Sequence, residues 1–209
     1  MNLHSVARTR YAGPPLQDAR AAVIMVHGRG ATADDMLQFL PLLNAPDIAF
    51  LVPQATGDSW YPHRFLAPLT DNQPYLDSAL TVVGELAEQA AAAGHTGARL
   101  SLLGFSQGAC LALEFAARNP RRYAGVLGFS GGLIGPPGTD FRYNGSLDGA
   151  PVFLGCSESD PHIPLERVRE TAAALRDLGA EVTERIYPGS AHTVTSDEVE
   201  FTASLLAGM

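Results

Sequence analysis

Short apolar runs, separated by punctuated and more polar stretches, limit what this chain can fold into more than any other feature. They are AAVIMVH (Ala21 to His27), IAFLVP (Ile48 to Pro53), ARLSLLGF (Ala98 to Phe105), GVLGFS (Gly125 to Ser130), PVFLGC (Pro151 to Cys156) and EVTERIYP (Glu181 to Pro188). Most are apolar almost continuously. A strand wet on one face alternates apolar with polar residues, so continuous runs belong to strands covered on both faces, as in parallel sheets. The last run alternates and is expected near an edge.

Helical spacing falls between the runs, at Ala33 to Leu43, Pro74 to Ala93, Gln107 to Asn119, Leu165 to Leu178 and Ser196 to Leu206. Stops are legible at Gly94, at Asn119 with Pro120, and at Gly179. Strand and helix in regular alternation predict an α/β fold, a mostly parallel sheet flanked by helices on both faces. A chain of 209 residues fits one hydrophobic core, so a single domain over residues 1–209 is expected. No segment is long enough for a substantial cap domain. The longest irregular pieces, Gln54 to Gln73 and Gly131 to Ala150, have the length of loops that often carry function.

Composition removes several function classes. The net charge is −8 and the basic residues are scattered, which excludes nucleic acid as a partner, since phosphate binding needs a concentrated basic surface. The densest basic group, Arg118, Arg121 and Arg122, falls at a helix end, where cations offset the dipole. No stretch approaches the roughly 18 apolar residues of a membrane span, and the N-terminus lacks the apolar core of a signal peptide. No integral membrane association and a cytoplasmic location are therefore expected. Cys110 and Cys156 lie in apolar surroundings and read as buried thiols rather than a disulfide or a metal pair.

Within this frame GFSQG, Gly104 to Gly108, stands where a buried strand ends and a helix begins. It matches G-x-S-x-G, in which small neighbours let the backbone make a sharp turn that lifts the serine oxygen out of the packing. Ser106 is thus a candidate nucleophile at the carboxyl end of a parallel strand, where open sheets bind ligands. The competing role is a helix N-cap. A serine hydroxyl needs a base, and the base a carboxylate to orient it, supplied in this fold class in the order serine, acid, histidine. Asp160, set in a turn by Pro161, is the candidate acid, with Glu158 in reserve; either position also suits a plain turn residue. His192, between the last strand and the last helix, is the candidate base. Activity is then expected to rise with pH through the histidine range, about 6.5.

Backbone N–H groups must also receive the negative oxygen of a tetrahedral intermediate. Gln107, next after the nucleophile, supplies one; Arg29, in the HGRG loop after the first strand, supplies the other, with His27 bonding structurally inside that loop. A phosphate-binding reading of HGRG fails for want of the Walker spacing and its following Lys. Trp60, Tyr61 and Phe65, in the Gln54 to Gln73 loop, read as a pocket wall, with plain loop packing the alternative.

HGRG, PQATGDSWY, GFSQGA, FSGGL, SESDPHIP and YPGSAH, spread from Val23 to Leu206, together resemble the α/β-hydrolase superfamily. Within it they resemble the phospholipase/carboxylesterase group, which includes acyl-protein thioesterases and small bacterial carboxylesterases. The resemblance implies a Ser106, Asp160 and His192 triad, an oxyanion hole from Arg29 and Gln107, a pocket lined by Trp60, and no cofactor or metal. Arg29 and Ala31 depart from acyl-protein thioesterases, which usually carry an apolar and an acidic residue there. A serine esterase acting on small to medium acyl esters, as monomer or homodimer, is the expectation. Its rivals are a thioesterase or lysophospholipase with the same chemistry, a non-catalytic binding protein, and a dienelactone-type hydrolase.

Overall fold

The computed structural model describes residues 3–209. Among these residues seven strands form one sheet: β1 (Arg10–Ala12), β2 (Ala21–Val26), β3 (Ile48–Val52), β4 (Leu100–Phe105), β5 (Gly125–Phe129), β6 (Pro151–Ser157) and β7 (Glu181–Tyr187). Their order is β1-β3-β2-β4-β5-β6-β7, with β1 antiparallel to β3 and every other pair parallel.

The helices are α1 (Ala33–Leu37), α2 (Leu40–Leu43), α3 (Tyr75–Ala92), α4 (Gln107–Arg118), α5 (Leu165–Asp177) and α6 (Ser196–Ala207). They cover the sheet on both faces, and alternate strand residues divide accordingly. Ala22, Ile24, Val26, Leu100 and Leu102 pack with Leu76, Val83 and Leu86 of α3, Leu111 of α4 and Leu175 of α5. Val23, Met25, Phe50, Leu103 and Phe153 pack with Met36, Leu43 and Leu206 on the other side. Both sets are apolar, which is why the runs read as continuous. Complete burial of each large aliphatic chain contributes about 1.5–3 kcal/mol relative to exposure. Strand β7 lies at one edge: its residues are exposed or half-buried in near alternation, as its sequence pattern requires.

The structure departs from the sequence expectations at three places. The helix expected over Ala33 to Leu43 is two short helices, α1 and α2, because Pro41 lacks the N–H that a continuous helix would use and is accommodated in the first turn of α2. The strand expected from Ala98 starts at Leu100, after a 3-10 turn at Gly97–Arg99. Strand β1 was not expected at all; two of its three residues are exposed and the third is half-buried, and they carry no hydrophobic period.

Topology places the site. From β2 the chain moves to one side, to β3, and from β4 it moves to the other, to β5. The loops leaving the carboxyl ends of β2 and β4 therefore diverge and leave a crevice between them, the place where ligands settle on open α/β sheets. The loop beginning His27-Gly28-Arg29 forms one lip and Ser106 the other.

Candidate active site

Ser106 occupies the one-residue corner between β4 and α4 with φ 54° and ψ −119°, a conformation that L-residues adopt only under constraint, at about 1–3 kcal/mol. The constraint is a close approach of backbones. A Cβ on Gly104 would stand 2.3 Å from the Gly108 carbonyl oxygen, and one on Gly108 would stand 2.1 Å from Val26 O and 2.5 Å from His27 O. The flanking glycines of GFSQG thus let α4 press against its own strand and against β2. Gly108→Ala is expected to destabilise the fold by about 3 kcal/mol, since the contacts are backbone and cannot rotate away; a urea titration measures it.

Although Ser106 stands at the N-cap position, its side chain caps nothing. Its Oγ lies 2.8 Å from His192 Nε2, and His192 Nδ1 lies 2.8 Å from Asp160 Oδ2. An ionised carboxylate only accepts, so Nδ1 carries the imidazole proton and Nε2 is left to accept from the serine hydroxyl. The other Asp160 oxygen accepts from the backbone N–H groups of His162 at 2.8 Å and Ile163 at 3.0 Å. Burial acts to raise the Asp160 pKa, but hydrogen bonds from His192 and from these two N–H groups outweigh it and hold the carboxyl below its ordinary value. Glu158, the reserve acid, is exposed and accepts from the Gly189 N–H at 3.1 Å; the structure assigns it to the turn, away from His192.

Neither the Arg29 nor the Gln107 backbone N–H has a hydrogen-bond partner among the described residues. His27 determines how the first of them points. Its Nδ1–H donates to the Gly28 carbonyl at 2.7 Å, while Nε2 accepts from the Ala55 N–H at 3.1 Å. Burial lowers the His27 pKa, which keeps the ring neutral and able to do both. A trans peptide sets C=O and N–H on opposite sides, so anchoring the Gly28 carbonyl fixes the direction of the Arg29 N–H. His27→Ala is expected to lower kcat roughly 10- to 100-fold, a fraction of the cost of deleting a donor outright. His27→Asn, whose amide stands where Nδ1 does, retains more; steady-state kinetics on both variants make the comparison.

The loop facing Ser106 is held by side chains whose part was not legible beforehand. Gln107 accepts from the Trp60 N–H at 2.9 Å through Oε1 and donates to the Tyr61 carbonyl at 2.8 Å through Nε2. The Arg29 guanidinium donates to Ser59 Oγ and to the carbonyls of Tyr61, Pro62 and His63, at 2.6–3.0 Å. Backbone acceptors give no signal in a sequence, so only the folded loop reveals this clamp.

Of the aromatic residues expected in the pocket, Tyr61 and Phe65 line the cleft beside Ser106. Trp60 does not, which corrects the expectation. It is completely buried, its indole N–H donates to the His27 carbonyl at 2.9 Å, and its ring packs 5.0 Å from that of His27, so it braces the loop from behind. The cleft wall also includes Arg64, Cys110, His162 and Ile163, none of which was expected. Both cysteines are free and buried, and burial pushes each thiol up to about 12, which leaves them protonated and inert.

No helix among the described residues is long and apolar enough to cross a membrane. A family model described as Phospholipase/Carboxylesterase matches residues 13–208. A crystal structure of a phospholipase/carboxylesterase from Dyadobacter fermentans DSM 18053 superposes with a TM-score of 0.93 at 42% identity, covering 99% of each chain. NocK of Nocardia uniformis subsp. tsuyamanensis is 31% identical over 174 residues, 80% of this chain and 48% of NocK. The acyl-protein thioesterase 1 of Saccharomyces cerevisiae is 26% identical over 214 residues, 91% of this chain and 93% of its own. The chain thus spans about half the length of NocK and nearly all of the yeast protein.

Proposed function

The chain belongs to the phospholipase/carboxylesterase family, with the α/β-hydrolase fold, and on that premise we propose that it is a serine carboxylesterase acting on small to medium acyl esters. The observation that carries this reading is the unbroken hydrogen-bond chain from Ser106 Oγ through His192 to Asp160, 2.8 Å at each link. In the proposed reaction His192 Nε2 takes the hydroxyl proton as Oγ attacks the ester carbonyl, and Asp160 stabilises the resulting imidazolium. The Arg29 and Gln107 N–H groups receive the oxyanion. The imidazolium then protonates the departing alcohol, and water, activated by the same histidine, releases the acid from the acyl-enzyme.

Support for small and medium acyl groups comes from the cleft walls, which are loops and the start of α4 rather than an inserted domain. The likeness to an acyl-protein thioesterase supports a second reading, hydrolysis of thioesters through the same acyl-enzyme. Rates on 4-nitrophenyl esters from acetyl to palmitoyl and on matched acyl thioesters, with fluorophosphonate labelling of Ser106, test both. Ester turnover with labelling supports the first; a thioester preference at equal acyl length replaces it with the second; a folded chain that neither turns over nor labels refutes the serine mechanism.

A further inference from the structure

The cleft differs in charge from the rest of the molecule. The chain carries a net charge of −8, yet two arginines, Arg29 and Arg64, line the cleft together with His162 and His192, and no carboxylate among the described residues does. The Asp160 carboxylate stands behind His192 with its side chain fully covered. The two cations are differently engaged. Arg29 spends its donors on the Ser59 to His63 loop and offers charge alone. Arg64 makes one long hydrogen bond, from Nη2 to the His162 carbonyl at 3.3 Å, and has no ion-pair partner among the described residues. That single contact joins the two loops across the cleft and leaves most of the planar donor set open.

A purely aliphatic substrate would leave the Arg64 fork unanswered, whereas a carboxylate meets a guanidinium with paired, charge-assisted hydrogen bonds. Low-dielectric walls also focus the field of the two arginines into the crevice.

We infer that the preferred substrates are esters bearing a carboxylate, in the acyl or the alcohol part, and that Arg64 is the specificity-determining residue that reads it. This rests on the proposed esterase reading and narrows its substrate class. Arg64 is exposed, so solvent screening limits the gain to about tenfold in kcat/KM.

The test compares each carboxylate with its methyl ester: mono-4-nitrophenyl glutarate against methyl 4-nitrophenyl glutarate for the acyl side, and 3-carboxyphenyl acetate against its methyl ester for the alcohol side. A roughly tenfold preference for the anion in either pair, carried in KM, weakened by salt and removed by Arg64→Gln but partly kept by Arg64→Lys, is the expected result. The pair that shows it identifies the side. Equal or slower turnover of the anion in both pairs, or a preference that survives in Arg64→Gln, overturns the proposal. Should no ester be turned over, the serine hydrolase reading fails separately, and binding decides the charge question. A thermal shift of Ser106→Ala by glutarate, absent in Ser106→Ala/Arg64→Gln, supports anion recognition; its absence in both overturns it.

Discussion

Ser106→Ala is expected to lower kcat by roughly 10⁴- to 10⁶-fold with the fold intact, the loss typical of removing the nucleophile from a unit that acts together. Ser106→Gly should be as inactive but more stable. Alanine inherits the left-handed backbone at φ 54°, whereas glycine adopts it freely, so the strain of the corner is relieved. After the entropy that glycine loses on folding, a net gain of about 1 kcal/mol remains, equivalent to a rise of about 2–4 °C in Tm for a chain of this size. Burst kinetics and calorimetry on the two variants measure the two effects separately. An alanine variant with undiminished turnover, or a glycine variant less stable than alanine, would contradict the account of the corner.

The second large effect is expected at Asp160. In Asp160→Asn the new amide can donate to His192 Nδ1, which places the imidazole proton on Nε2, facing a serine hydroxyl that it must instead deprotonate; the expected loss is about 10⁴ in kcat at neutral pH. Glu158→Gln, on the exposed turn, should stay within about threefold of the parent, because a surface change away from the reacting atoms carries little energy. The pH profile adds a second reading. Hydrogen bonds hold the Asp160 pKa below its ordinary value, so its charge persists in mild acid and is lost only as pH falls through that lowered pKa. A fall of parental activity in mild acid therefore comes from a group other than Asp160, the general base being the one expected. A profile flat through mild acid, with chemistry limiting the rate, would count against His192 as the base.

These two expectations depend on different kinds of information. The turn at Ser106 is a local event, a strand, a corner and a helix within consecutive residues, and glycines at positions 104 and 108 announce the close approach that the structure displays. The sheet is legible for a similar reason: strands buried on both faces must be apolar at every position, and the pattern survives in each run. Short-range sterics and burial leave their record in neighbouring residues.

The meeting of the site residues leaves no such record. Ser106 and His192 are 86 positions apart, and His192 and Asp160 are 32 apart; their order along the chain made the grouping plausible, but their distances follow from strand order and from how the loops leave the sheet. The same is true of Trp60, whose aromatic character fits a pocket wall but whose place behind His27 depends on a carbonyl of the neighbouring loop. Arg29 and Arg64 carry the same charge in the sequence. Tertiary structure gives one of them four acceptors and the other a single long contact. Sequence by itself thus determined the layers, the corner and the kinds of chemical group at the carboxyl end of the sheet, because periodicity and turn sterics act between neighbours. Only the fold decided which groups touch and which charge stays open to a substrate, because hydrogen-bond partners and cleft walls are assembled from segments that meet through packing alone.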